Sequence, residues 1–241
     1  MTVLAVVAGY LSYVQPAQAG RPLETEDPGT TEHRSFEVEL GGKATHAVSD
    51  WGGADLGLNL AYGLFETVEV AASVGGTALD QEGWKPDVLA LALFAKWRLF
   101  GEEGTSPALA LFVSGGLPTH APHLWLHGRG YGLAGGAAFS MPLPLDLLAR
   151  VAALYQVQFD EMDLAVGSMA LEWQATGSLA LVCEAVAELA PSSAGESWAV
   201  RGLLGAAVAV HSAVSLDVGI GVEGDEDIQG VAGVVGVTLG F

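Results

Sequence analysis

Three stretches of the chain alternate apolar and small or polar residues with a period of two. In Ala54–Leu64, Leu56, Leu58, Leu60, Tyr62 and Leu64 alternate with Asp55, Gly57, Asn59, Ala61 and Gly63. In Leu89–Leu99, Leu89, Leu91, Leu93, Ala95, Trp97 and Leu99 alternate with Ala90, Ala92, Phe94, Lys96 and Arg98. At the end of the sequence, Val231, Gly233, Val235, Val237, Leu239 and Phe241 alternate with Ala232, Val234, Gly236, Thr238 and Gly240. Successive side chains of a strand point to opposite faces, so this period predicts strands with one apolar face. Further candidates begin near Ser35, Val68, Ala108, Gly130, Leu147, Leu164, Leu179, Trp198 and Ser215. With the starts near Ala54, Val88 and Val231, the expected total is about 12 strands of ~9–11 residues, enough to cross a bilayer when tilted.

Composition decides which medium the apolar face meets. Of 241 residues, 51% are apolar and only 15% charged, and the mean hydropathy is +0.41. A soluble domain carries about 25% charged residues. Only helices and closed barrels satisfy every backbone polar group in lipid. No unbroken apolar run of about 20 residues is present. The stretch from Gly104 to Gly128 lacks Asp, Glu, Lys and Arg, but Pro107, Pro118 and Pro122 interrupt it. The expectation is therefore all-β: a transmembrane antiparallel up-and-down barrel over residues 35–241, apolar outside and small or polar within. Ten or fourteen strands remain compatible with alternation alone.

Val3–Leu11 followed by Ala17-Gln18-Ala19 reads as a secretory signal over residues 1–19, although no Lys or Arg precedes Arg21. Residues 20–34 read as a polar periplasmic leader, either folded into the barrel from that side or a free tail. Export with a barrel pattern predicts the Gram-negative outer membrane. Phe65-Glu66-Thr67, Met141–Asp146, Gln174–Ser178 and His211–Val214 are expected to be short periplasmic turns. Longer outer loops are expected at Gly42–Gly53, Gly76–Asp87, Gly115–Arg129 and Gly224–Gly230, with shorter ones at Asp160–Asp163 and Ala190–Ser197. Aromatic residues sort to two girdles. Trp51, Trp84, Trp125, Tyr131, Tyr155, Phe159 and Trp198 fall at the outer rim; Phe36, Tyr62, Phe65, Trp97, Trp173 and Phe241 fall at the inner. Phe94 and Phe112 are expected in the lumen.

Several segments resemble the outer-membrane transporters of the phenol-degradation meta-pathway family. They are Arg21–Thr30 with Ser35–Glu39, Ala61–Val70, Lys96–Leu99, and Pro107–Leu111 leading to Gly116–Thr119, covering roughly residues 21–120. Where that family carries an Asn-Gly-rich strand, this chain has Arg150–Gln158. The resemblance implies an outer-membrane barrel that passes small solutes, with apolar or aromatic ones as the class it suggests. The terminal Phe241 also resembles the signal read by the barrel-assembly machinery.

By alternation, Glu37, Glu39, Asp55, Glu69, Glu172, Glu184, Glu188, Asp217 and Glu223 point inward or sit at the mouths, opposed by Lys96, Arg98, Arg150 and Arg201. Lining charges set the sign of the ion a pore admits. The excess of acids is consistent with a narrow, cation-favouring channel, and equally with paired charges that hold the lumen shut. Inward Gly132, Ala134, Gly136, Ala138, Gly205, Ala207, Gly219, Gly221 and Gly236 leave room for a passage or for bulk from elsewhere. A closed structural or envelope-interaction barrel is the competing class.

Other chemistries find little support. The net charge of −19 excludes nucleic acid as a partner through counterion release, leaving outer-membrane lipid, lipopolysaccharide, small solutes and the assembly machinery. The single cysteine, Cys183, excludes an internal disulfide. His211-Ser212 is the only adjacent pair of hydrolase type and sits in an expected turn. His120, His123 and His127 fall among Pro118, Pro122 and Gly128, so their spacing does not make them converge on a metal. Asp225-Glu226-Asp227 lacks calcium-loop spacing. No phosphate-binding glycine motif occurs. The reading is of a non-enzyme without a cofactor.

Overall fold

The computed structural model describes residues 23, 25–47, 52–80, 84–118, 132–158, 163–192, 195–224 and 229–241. The proposed signal, Trp51, Trp125, Tyr131, Phe159, the three loop histidines and Asp225–Asp227 lie outside the described residues. Twelve strands form one closed sheet: β1 (Phe36–Ala47), β2 (Gly52–Phe65), β3 (Val68–Asp80), β4 (Trp84–Phe100), β5 (Ala108–Pro118), β6 (Gly132–Leu143), β7 (Leu147–Gln158), β8 (Leu164–Gln174), β9 (Leu179–Ser192), β10 (Gly195–His211), β11 (Val214–Gly224) and β12 (Gln229–Gly240). Each strand pairs antiparallel with its sequence neighbours, and β1 closes the cylinder on β12 from Glu37↔Gly240 to Ala47↔Gly230. Closure leaves no edge, so no ladder donor or acceptor along the rim of a sheet has to face hydrocarbon.

The period-two pattern sets which way each strand faces. A slip of one residue would turn every leucine of a strand inward and every acid outward, so the two faces fix the register. Ile220 and Leu204, paired across β10 and β11, are 61% and 64% exposed on the outside, while Asp217 on the other face is 8% exposed. Leu56, Leu93, Val113, Leu133, Met169, Val218, Val222 and Val235 stand on the same apolar exterior. No helix among the described residues is long and apolar enough to cross a membrane; the strands carry the apolar surface.

The ladders run further outward than the expected loops allow. β3 reaches Asp80 and β4 starts at Trp84, where a loop was expected over Gly76–Asp87. β1 and β2 likewise extend to Ala47 and from Gly52, β5 to Pro118, and β9 and β10 to Ser192 and from Gly195. Polar and glycine-rich sequence ends the apolar pattern at the membrane boundary, but backbone pairing continues into water without it. At the opposite end, Phe36, Phe65, Trp97, Trp173 and Phe241 stand exposed, joined by Phe100. Phe36 and Tyr62 contact each other with ring centroids 4.7 Å apart. At the outer end Tyr155 and Trp198 are exposed. Phe94 and Phe112 lie inside, stacked at 5.8 Å. Gly136, opposite Phe112 on β6, gives its ring the space, since a Cβ there would stand 2.5 Å from the ring.

Ile220→Arg is expected to cost about 2–4 kcal/mol of stability, the penalty of a cation at mid-depth on a lipid face. Denaturant unfolding of the protein from lipid vesicles measures it; an unchanged midpoint would mean that the apolar face does not meet hydrocarbon.

Candidate functional site

Most interior charges meet a partner across the lumen wall. On β7, Arg150 is held by two carboxylates: its Nε donates to Glu103 at 2.6 Å and an Nη to Glu172 at 2.8 Å. Toward the outer end, Arg201 on β10 donates to Glu188 on β9 at 2.6 Å. Lys43 on β1 reaches past β12 to Glu223 on β11 at 2.9 Å. Arg201 and Glu223 are cross-strand partners, so Lys43, Glu223, Arg201 and Glu188 form a row of alternating sign along one wall. Asn59 donates to Glu39 at 3.1 Å. Asp217 is buried on β11 opposite Gly236, where a side chain would collide with its carboxylate. Glu37 and Asp55 are half-buried on the inner faces of β1 and β2. Arg98 sits at the periplasmic rim and donates to the Glu66 carbonyl at 2.7 Å.

The leader supplies further contacts. Leu23, Thr25 and Pro28 are buried inside the barrel, and the segment becomes exposed at Glu32, His33 and Arg34. At the mouth, Arg34 takes a left-handed φ of 66°, and its N–H donates to the Gly63 carbonyl at 2.8 Å. The Gly63 N–H in turn donates to Ser35 at 3.1 Å. Gly63 is needed there: a Cβ would overlap the Glu32 and Thr31 carbonyls, which are backbone atoms that cannot swing aside. From this anchor the segment runs inward. The backbone N–H and hydroxyl of Thr31 both donate to Glu69 at 2.8 Å. The same two groups of Thr25 donate to Glu184. Lys96 pairs with Glu26 at 3.2 Å and with Asp27 at 3.7 Å. Leu23 packs with Ala170, Val182 and Leu203 on the far wall. Burial holds the Glu26 carboxyl above its ordinary range, against the pull of Lys96.

A cavity of about 590 Å³ opens at the periplasmic mouth, lined by the leader, by Glu37, Glu39, Phe94 and Arg150, and by Phe241. A much smaller space lies farther out, among Glu184, Arg201, Lys43 and Glu223. Leu23, Thr25 and Glu26 border the first space, and Glu184 and Leu203, which Thr25 and Leu23 respectively touch, border the second, so these leader residues stand between the two.

Sequence reasoning placed the strand acids and bases but missed Lys43, Glu103 and the leader acids Glu26 and Asp27. Lys43 fell in an expected loop that is paired strand. Glu103 belongs to the turn over residues 101–107, which folds back because Gly101 and Gly104 adopt φ of 75° and 78°. Two glycines flanking a Glu-Glu pair were the available signal. His211 ends β10 and Ser212 follows in the β10–β11 turn, where Ser212 Oγ lies 3.4 Å from His211 Nδ1 and the ring also accepts the Ala213 N–H at 3.2 Å. Among the described residues no group of His, Cys, Asp or Glu is arranged to hold a metal.

A closed, lipid-compatible cylinder with a charged interior is the architecture of outer-membrane β-barrels. An outer membrane channel from Pseudomonas putida F1 superposes with a TM-score of 0.65 at 12% identity, covering 95% of this chain and 100% of that one. The NanC porin superposes at 0.62 with 7% identity over 84% and 98%. The translocator domain of the autotransporter NalP from Neisseria meningitidis does so at 0.59 with 15% identity over 98% and 97%. No family model matches the chain, and no curated protein sequence matches it.

Gly63→Ala is expected to lift the leader from its seat. Hydrogen exchange of the protein in lipid nanodiscs should then show the Thr25 and Thr31 amides exchanging at least about tenfold faster, as expected when a local opening costs about 1.4 kcal/mol less. Unchanged protection would mean that Gly63 does not hold the segment.

Proposed function

We propose that this protein is a narrow channel of the Gram-negative outer membrane through which small solutes pass passively, and that its own leader is the gate. The observation that carries the reading is the seated leader: a polar segment, anchored at Gly63, lies between a periplasmic vestibule and the charged outer half of the lumen. Apart from Leu23 against Ala170, Val182 and Leu203, its contacts are polar, and they are made with strands that are already paired to one another. It can therefore leave without opening the barrel wall. Twelve strands leave a slender passage once the segment has gone. The similarity to porins and to a known outer-membrane channel supports the architecture on which this rests.

Within that passage acids outnumber bases, and low-dielectric walls focus their field on whatever enters. Cations are favoured over anions. The resemblance to the phenol-degradation meta-pathway transporters supports the assignment to transport, and membership of that family is part of the proposal. Lipopolysaccharide around the outer rim and the assembly machinery at Phe241 are its expected partners.

Conductance in planar bilayers tests the reading. The native protein should pass small, intermittent currents, and Gly63→Ala should raise the open fraction several-fold with sodium favoured over chloride. A silent Gly63→Ala barrel would favour a closed structural role. Chloride preference would overturn the charge assignment.

A further inference from the structure

The leader touches the lumen in a pattern that describes a ligand. Thr25 and Glu26 are adjacent, yet they address opposite charges on distant walls. Thr25 gives its N–H and hydroxyl to Glu184 on β9, and Glu26 gives its carboxylate to Lys96 on β4. Those strands are five positions apart around the 12-stranded ring, close to diametrically opposed. Asp27 adds a second carboxylate toward Lys96. One dipeptide thus bridges the lumen, hydrogen-bond donors toward the acid wall and acid toward the base.

We infer that Lys96 and Glu184 form a transverse pair selecting small zwitterions, with the leader as its resident mimic. The inference rests on the channel reading above and names the solute class of that passage. A molecule carrying a carboxylate and an ammonium about seven or eight bonds apart, the separation between the Thr25 donors and the Glu26 carboxylate, can reproduce both contacts at once; a short peptide such as triglycine has that span. A simple anion satisfies Lys96 but meets Glu184, and a simple cation has the converse difficulty. With the leader seated, Lys96 and Glu184 are each 7% exposed, so a solute that takes its place with the same two contacts meets both charges where water screens them little. The same two groups that seat the leader would then be the ones a solute displaces it from, so that binding of the solute and release of the segment are linked.

Uptake into proteoliposomes decides the matter. The full chain carrying Gly63→Ala is supplied with triglycine, N-acetyltriglycine, triglycine amide or N-acetyltriglycine amide, which share one backbone and differ in charge pattern. Triglycine should enter about fivefold faster than the other three, the factor of one partly screened charge pair. In the same background Lys96→Gln with Glu184→Gln should bring the ratio of triglycine to its neutral derivative to about one. The exchange Lys96→Glu with Glu184→Lys should restore it, because the transverse pair is then reversed but present. Uptake of all four solutes at equal rates, or a ratio unmoved by the double glutamine variant, would overturn the zwitterion assignment while leaving a channel. Uptake of none would overturn the channel reading beneath it.

Discussion

Hydrocarbon offers a peptide group no hydrogen-bond partner, and that constraint governs everything else in this molecule. A chain whose strands alternate apolar and polar residues can meet it only by closing the sheet on itself. β1 finding β12 is therefore the decisive contact, since a missing ladder would strand a row of N–H and C=O groups in lipid. Once the ring is closed, the exterior is settled by leucine, valine and isoleucine. The interior is left as a crowded, partly wet space in which charges must find one another.

That crowding explains the arrangement of the lumen. A charge taken from water and left alone costs far more than a pair gains, so bases within the barrel stand beside acids. Arg150 draws Glu103 in from a turn as well as Glu172 from its neighbouring strand. Lys43 crosses a whole strand to reach Glu223. The leader obeys the same rule from outside the sheet: its threonines supply donors to Glu69 and Glu184, and its acids answer Lys96. Apart from the packing of Leu23, these contacts are polar, and the strands do not need them for pairing, so the segment fills the lumen without being part of the wall.

Much of the barrel was legible because period-two alternation carries its own geometry. The expected strand starts at Val68, Ala108, Leu147, Leu164 and Leu179 coincide with those of β3, β5, β7, β8 and β9, and the acids of those faces were placed inward from parity alone. The outer ends of β1, β4 and β10 were not, because pairing in water leaves no hydrophobic trace. Glu103 and Lys43 could not be placed for a related reason: each reaches its partner from a position whose depth in the barrel depends on where a turn folds or a strand ends.

The amino-acid order by itself determined that this chain is a sheet with an apolar skin and which residues turn inward, since both follow from neighbours along one strand; the count of 12 strands was fixed by the closed ring. Only the closed tertiary structure decided which charges meet. Glu184 and Lys96 lie on far walls and far apart in sequence, and a segment tied down at Gly63 joins them. Contacts of that kind depend on the diameter, stagger and tilt of the whole cylinder, which no local repeat encodes.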